Sequence, residues 1–361
     1  MGDKKLIIIN GLIVGFLSAL LVKFGNPINM GICVACFIRD TVGGLGLHRA
    51  ELVQYVRPEI IGIVLGAFLM SYGKRDFQTR GGSSPLTRFV LGFIVMIGAL
   101  MFLGCPLRMV LRLAGGDLNA LFGIVGFAFG IFIGIKFLNK GFTLKRTYNL
   151  NKAEGYIFPI INLILLVLLI SGSTLLIFSQ KGPGSQHAPI LLALLVGLVV
   201  GAFAQRTRLC MVGGIRDLIL FKDWYLLSGF IAIFIAALLG NIAFGVFNLG
   251  FVKQPVAHTD GLWNFLGMAL AGFGSVLLGG CPMRQLILAG EGNIDSVISI
   301  LGMATGAAFA HNFKLASSPQ GPTVNGKIAV IIGFIVVALI GYFNIEKNLT
   351  FKVKGDVKVE G

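Results

Sequence analysis

Four of the five cysteines in this 361-residue chain stand in two short phrases, and each phrase occurs twice. Cys-x5-Arg-Asp appears at Cys33…Arg39-Asp40 and again at Cys210…Arg216-Asp217. Gly-Cys-Pro-x-Arg appears at Gly104-Cys105-Pro106…Arg108 and at Gly280-Cys281-Pro282…Arg284. The paired cysteines are 72 residues apart in the first half and 71 in the second, which describes a duplicated unit. In Gly-Cys-Pro the proline suits the first turn of a helix, where its missing N–H costs nothing. The cysteine then falls at the N-cap, beside free backbone N–H groups and the positive end of the helix dipole. With an arginine one turn on, Arg108 or Arg284, this is an anion site with a reactive thiol at its mouth.

Other chemistry competes for these thiols. Cys33 and Cys36 form a Cys-x-x-Cys, the spacing of a redox pair or of half a metal site. The second unit has Gly213 where Cys36 would repeat, so Cys36 stands outside the duplicated set and its role is uncertain. The four histidines are scattered away from the cysteine phrases, which argues against zinc. A soft-metal path between thiolates remains open on ligand softness. The Arg-Asp doublets suit mutual neutralisation where an unpaired charge would be costly. Asp117, Glu291 and Asp295 stand where they can cap the following helices. There is no nucleotide-binding loop and no hydrolase arrangement, so the expectation is a non-enzyme without a catalytic centre, metal or cofactor.

The elements that must position these residues belong in lipid. The chain is 56% hydrophobic and only 12% charged, about half the charged fraction of a soluble domain. Ten stretches are apolar enough to span: 6–24, 59–73, 88–104, 118–138, 156–178, 188–204, 226–247, 262–279, 294–312 and 327–344, with 59–73 short. The net charge of +15 is spread over many short loops, and the aromatics are mainly Phe, so no nucleic-acid partner is indicated. The phrases fall between spans, at 28–44, 105–116, 207–220 and 281–292. Each is too short to cross, too apolar for a solvated loop, and broken by Gly or Pro. Such segments read as re-entrant elements, tolerated at membrane depth where they line a cavity. Gly11-x3-Gly15 is repeated as Gly197-x3-Gly201, and Gly126 and Gly130 as Gly302 and Gly306, spacings that let helices pack closely.

Parity then orients the halves. Five spans precede the second unit, so if no phrase crosses, that unit is inverted relative to the first. With both termini cytoplasmic, 20 lysines and arginines lie inside and 10 outside, in the sense of the positive-inside bias. The fold expected is all-α and polytopic, two inverted repeats of about five spans each with short helices dipping from both faces in an hourglass. Its units are a first repeat over 1–155, a connecting helix and linker over 156–186, and a second repeat with a basic tail over 187–361. Inverted repeats that bring broken helices to the midplane are an organisation many transporters use.

At these residues the chain resembles the YeeE/YedE family of sulfur-transport membrane proteins, most closely its selenium-metabolism branch, YedE/FdhT. The resemblance runs through Asn29-Met-Gly-Ile-Cys33-Val-Ala-Cys36-Phe-Ile-Arg39-Asp40, Arg80-Gly-Gly-Ser-Ser-Pro85, Gly104-Cys-Pro-Leu-Arg108, Gln205-Arg-Thr-Arg-Leu-Cys210, Gln254-Pro-Val-Ala-His258 and Gly280-Cys-Pro-Met-Arg284. It implies a thiosulfate-importer fold with cysteines at a narrow centre: Cys33, Cys105 and Cys281 as path thiols, with Cys210 the counterpart of Cys33. The function expected is inner-membrane import of a small selenium- or sulfur-containing anion, with Arg39 and Arg108 gathering it and Arg216 and Arg284 receiving it. A cytoplasmic sulfur or selenium carrier protein is a possible partner. The alternatives are a thiosulfate importer proper, a membrane sulfur or selenium transferase that loads cysteine covalently, and a soft-metal transporter.

Overall fold

The computed structural model describes residues 2–346. The lysines beyond them, which contribute to the inner charge excess, lie outside the described residues. The described chain forms fourteen helices and one two-stranded ladder. The first half holds α1 (Gly2–Lys23), α2 (Val34–Gly44), α3 (Pro58–Gly73), α4 (Pro85–Phe102), α5 (Pro106–Ala114), α6 (Asn119–Asn139) and α7 (Lys152–Ile170). The second holds α8 (Ile190–Thr207), α9 (Met211–Phe221), α10 (Tyr225–Ala243), α11 (Gly261–Leu278), α12 (Pro282–Gly290), α13 (Ile294–Asn312) and α14 (Val324–Phe343). The small ladder pairs β1 (Arg80–Gly81) with β2 (Tyr148–Asn149).

Among the described residues nine helical segments are long and apolar enough to cross a membrane, and α3, at 16 residues, is a shorter apolar helix. They correspond to the ten stretches read from hydropathy. One differs in extent. The stretch expected over 156–178 is helical only over Lys152–Ile170, because Ser171-Gly172-Ser173 interrupts it with Gly172 at φ +61. The chain then folds back over the α2–α3 connection: Ile177 N–H donates to Gly44 O, Ser179 N–H to Gln54 O and Gly184 N–H to Leu52 O.

Helix packing repeats from half to half. α1 packs on α10 as α8 packs on α3, and α6 packs on α11 as α13 packs on α4. Glycines set these contacts. A Cβ on Gly126 would run into the Phe265 carbonyl and one on Gly130 into that of Ala269; their equivalents Gly302 and Gly306 lie against the carbonyls of Phe89 and Phe93. Gly11 and Gly15 lie against Gly229 and Ile233, as Gly197 and Gly201 lie against Glu59 and Ile63. Equivalent helices that touch run antiparallel. Asn10 near the start of α1 bonds Thr207 at the end of α8, while Asn26 beyond α1 bonds Ala188 before α8. Likewise Gly98 of α4 meets Gly267 and Ala271 of α11, and Gly274 meets Val95 and then Leu91.

These backbone contacts leave no room for a methyl group. Gly126→Ala and Gly302→Ala are each expected to cost about 1–3 kcal/mol through forced separation of the helices. Gly73→Ala, where nothing lies within 4 Å of the added carbon, is expected to be neutral. Melting of the three variants in detergent checks this; equal melting temperatures would mean the helices separate freely.

Candidate functional site

Each of the four short helices begins on a repeated cysteine. Cys33 is the N-cap of α2, Cys105 of α5, Cys210 of α9 and Cys281 of α12. The helices are 11, 9, 11 and 9 residues long, which at 1.5 Å per residue is about half of a 30 Å hydrocarbon core. The local sequence dictates the arrangement. Pro106 and Pro282 open their helices directly after the cysteine. In the other two, the thiol itself caps: Cys36 N–H donates to Cys33 Sγ at 3.3 Å and Gly213 N–H to Cys210 Sγ at 3.4 Å. Leu103 turns the chain into α5 through a left-handed conformation, φ +63, where its counterpart Gly279 has φ +87 without a side-chain penalty.

The first half builds a cluster of three thiols. The Cys33 thiol lies beside those of Cys105 and Cys36. Cys36 Sγ reaches Leu103 O at 3.8 Å and accepts from Arg108 Nη1 at 3.4 Å. Arg108 is fully buried. Its other bonds go to neutral carbonyls: Nε to Asn29 O at 2.9 Å, Nη2 to Val256 O at 3.1 Å, and Nη1 to Leu103 O. No carboxylate pairs with it among the described residues, so its charge faces the thiols uncompensated. The loop from Gln254 to His258 holds one wall. Gln254 accepts from Asn29 Nδ2, His258 Nε2 sits 2.8 Å from Met101 O, and Val256 takes φ +51, a rare state for a β-branched residue that brings its carbonyl onto Arg108.

Beside the cluster, Asp40 is shared by two buried arginines, Arg39 at 2.6 Å and Arg57 at 2.8 Å. Arg57 also donates to Gln186 O and Pro183 O, tying α3 to the chain before α8. A second buried pair, Arg112–Asp117 at 2.6 Å, closes the far end of α5, and Asp117 also caps α6 through Asn119 N–H.

The second half builds a thiol pair. Cys210 Sγ and Cys281 Sγ are 4.0 Å apart. Arg284, the counterpart of Arg108, is paired with Glu291 at 3.2 Å. Burial pushes the Glu291 carboxyl up, partly offset by Arg284 and Arg208. Arg216 pairs with its neighbour Asp217 at 2.8 Å and is 37% exposed.

Two cavities lie near these clusters. One, of about 660 Å³, has a mainly apolar wall that also carries Arg39, Arg49, Glu51, His311 and Lys314, and it reaches Leu103 and Val256, whose carbonyls hold Arg108. The other, of about 370 Å³, is lined by Arg80, Arg206, Arg208, Arg284, Asp76 and Glu291, among others. They sit at opposite ends of the same helices. Val53 before α3, Pro183 before α8 and Ala310 near the end of α13 line the first; Asp76 after α3, Arg208 after α8 and Asn293 before α13 line the second.

The residues singled out from sequence are thus brought together unequally. Cys33, Cys105 and Arg108 share one cluster, and Cys210 and Cys281 the other, with Arg284 on the adjacent cavity wall. Arg39 lines a cavity but is tied to Asp40. Arg216 lines neither cavity. Cys36, set aside because it has no repeat counterpart, lies within the first cluster. Glu291 pairs with Arg284, while Asp295 accepts from Ser83 N–H. Sequence reasoning assigns no role to Arg57, Arg112, Arg80, Arg206 or Arg208, since none occupies a position repeated in both halves, although Arg80, Arg206 and Arg208 stand in motifs that carry the resemblance.

Fold and site together define a multi-pass α-helical membrane protein whose short internal helices are capped by clustered thiols. Residues 206–348 match the family model described as Sulphur transport. The thiosulfate transporter TsuA of Spirochaeta thermophila is 32% identical over 114 residues, 32% of this chain and 34% of that protein. TsuA of Escherichia coli K12 is 32% identical over 112 residues, 31% of each chain. The chain matches about a third of the length of these relatives. The second half of the chain is thus similar to this family of sulfur-transport membrane proteins.

Proposed function

We propose that this chain imports a small sulfur- or selenium-containing anion across the cell membrane, through a passage that runs between the two thiol clusters. One observation carries the reading: cavities lie at opposite ends of the same helices, one reaching Leu103 and Val256, which hold Arg108 beside the first thiols, the other lined by Arg284, three residues from the capping thiol of Cys281. The antiparallel packing of equivalent helices supports an inverted repeat, with boundaries near 155 and 187, in which α2 and α5 dip from one face and α9 and α12 from the other. The charge asymmetry of the loops supports a cytoplasmic position for both termini. The cavity at Arg39 then faces outward and the cavity at Arg284 inward. The names of the matched relatives favour thiosulfate as the anion; a selenium-bearing analogue of similar size and charge fits the same thiols.

In this reading the anion is drawn toward Arg108, the buried cation without a carboxylate. It exchanges its hydration for S–H donors on Cys33, Cys36 and Cys105, then for those on Cys210 and Cys281, and leaves past Arg284. Uptake of radiolabelled thiosulfate into liposomes carrying the purified chain tests it. Cys105→Ser and Cys281→Ser are each expected to lower uptake severalfold. A hydroxyl still donates a hydrogen bond, so residual transport marks a hydrogen-bonded relay, whereas complete loss marks covalent transfer, in which a cysteine thiolate takes the outer sulfur of thiosulfate as a persulfide and sulfite leaves as the S–S bond of thiosulfate breaks. Full activity in both variants would overturn the thiol passage. Loading of a cysteine without uptake would make the chain a transferase.

A further inference from the structure

The inner cavity carries more positive charge than a passage lined by thiols requires. Its walls hold four arginines, Arg80, Arg206, Arg208 and Arg284, against two carboxylates, Asp76 and Glu291. Among the described residues only Arg284 of the four has a carboxylate within 4.0 Å, and Arg80, Arg206 and Arg208 have no side-chain hydrogen bond. Gln205 is 6% exposed, lines the same space, and its Oε1 has no hydrogen-bond partner. Since amide oxygen and nitrogen are interchangeable by rotation, this side chain can present an N–H donor to a ligand. The three unpaired arginines come from two separate places, Arg80 from β1 after α3 and Arg206 and Arg208 from the C-terminal end of α8, and they converge on one space. Arginine forks suit the oxygens of a tetrahedral anion. A volume of about 370 Å³ takes a small oxyanion with part of its hydration shell, one water accounting for about 30 Å³.

The second feature is an asymmetry between the halves. Arg108 has no carboxylate, whereas its counterpart Arg284 is held by Glu291, and the position equivalent to Glu291 in the first half is Gly115. Glu291 is itself an anion placed on the arginine that an arriving anion would meet.

We propose that the inner cavity is a binding site for a small tetrahedral oxyanion dianion, formed by Arg80, Arg206, Arg208 and Gln205, in which Glu291 competes with the ligand for Arg284. The site is distinct from the thiol clusters, because it offers charged N–H donors to oxygen and no sulfur. Its role as the place from which the anion is released rests on the transport reading; its existence does not. With Glu291 in place, Arg284 is already neutralised when the anion arrives, so the anion is held by the outer three arginines and leaves readily. Without Glu291 it is held by all four.

Sulfate is the probe, since it has the shape and charge of the ligand class but lacks a terminal sulfur for thiol chemistry. Equilibrium binding of radiolabelled sulfate is measured on the full chain purified in detergent, at constant ionic strength. Wild type is expected to bind, Arg206→Gln with Arg208→Gln to weaken binding at least about tenfold, as loss of hydrogen bonds to a charged group implies, and Glu291→Gln to tighten it severalfold. The two side chains make no hydrogen bond or ion pair within the described residues, so the double variant should melt with the wild type, and Arg80→Gln gives an independent check. Sulfate binding that is absent, or indifferent to the three arginines, overturns the site even if liposome uptake persists. Binding that behaves as expected in a chain that takes up no thiosulfate keeps the site and removes the transport reading. Glu291→Gln binding no tighter than wild type overturns the competition.

Discussion

Asp40→Asn is expected to produce the largest stability loss of any single charge substitution in the chain. Asp40 is fully buried and accepts from two arginines that are themselves buried, Arg39 and Arg57. Removing its charge leaves two guanidinium groups facing each other without an anion. Breaking one buried pair typically costs about 3–5 kcal/mol, a large share of a stability of roughly 5–15 kcal/mol. The damage would spread, because Arg57 also fastens the Pro183 and Gln186 carbonyls ahead of α8. Asp217 is the repeat equivalent, but Arg216 and Asp217 are 37% and 21% exposed, and such a pair is worth about 0–1 kcal/mol. Thermal melting in detergent is therefore expected to drop sharply for Asp40→Asn and hardly at all for Asp217→Asn. Equal losses at the two positions would show that the Asp40 cluster is far better solvated than its burial indicates.

This contrast bears on what was legible in the sequence. The spans, the duplication and the helix-capping cysteines could be read directly, because Gly-Cys-Pro specifies a turn, a cap and a first helical residue in consecutive positions. Close packing at Gly126 and Gly302 was legible for the same reason: the spacing is local and occurs twice. What could not be read were partnerships between residues far apart in sequence. Arg57 reaches Asp40 across the turn between α2 and α3, and has no repeat counterpart to mark it. Arg80 meets Arg206 and Arg208 only because the ends of α3 and α8, which pack along their length, finish side by side. Cys36 was set aside for lacking a counterpart, yet one turn of α2 carries it onto Arg108. Repetition identifies machinery shared by both halves, and so it passes over residues that make the two ends differ. Arg216 shows the opposite error: it repeats, but on the less enclosed side its guanidinium simply pairs with the adjacent Asp217.

The end that differs most turns on Arg108, and its removal is expected to have the largest effect on uptake. A dianion entering a protein interior loses hydration that only charge or hydrogen bonds can replace. Arg108 is buried, carries no carboxylate, and points Nη1 at the Cys36 thiol 3.4 Å away. At a separation of about 5 Å and an effective dielectric near 20, one unit charge attracts another by roughly 3 kcal/mol, so loss of the cation should slow entry of a dianion by about a hundredfold or more. Arg108→Leu is expected to abolish measurable uptake. It also strips donors from the carbonyls of Asn29, Leu103 and Val256, at about 1–3 kcal/mol for each left unpaired, so uptake must be referred to folded protein. Arg108→Lys separates the two effects. Lysine keeps the charge but cannot span three carbonyls and a thiol at once, so it should fold less stably than wild type and yet transport measurably more than Arg108→Leu. Were the guanidinium only a structural tie for the Val256 loop, uptake per folded molecule would be unchanged in both variants, and the driving attraction for the anion would have to lie elsewhere.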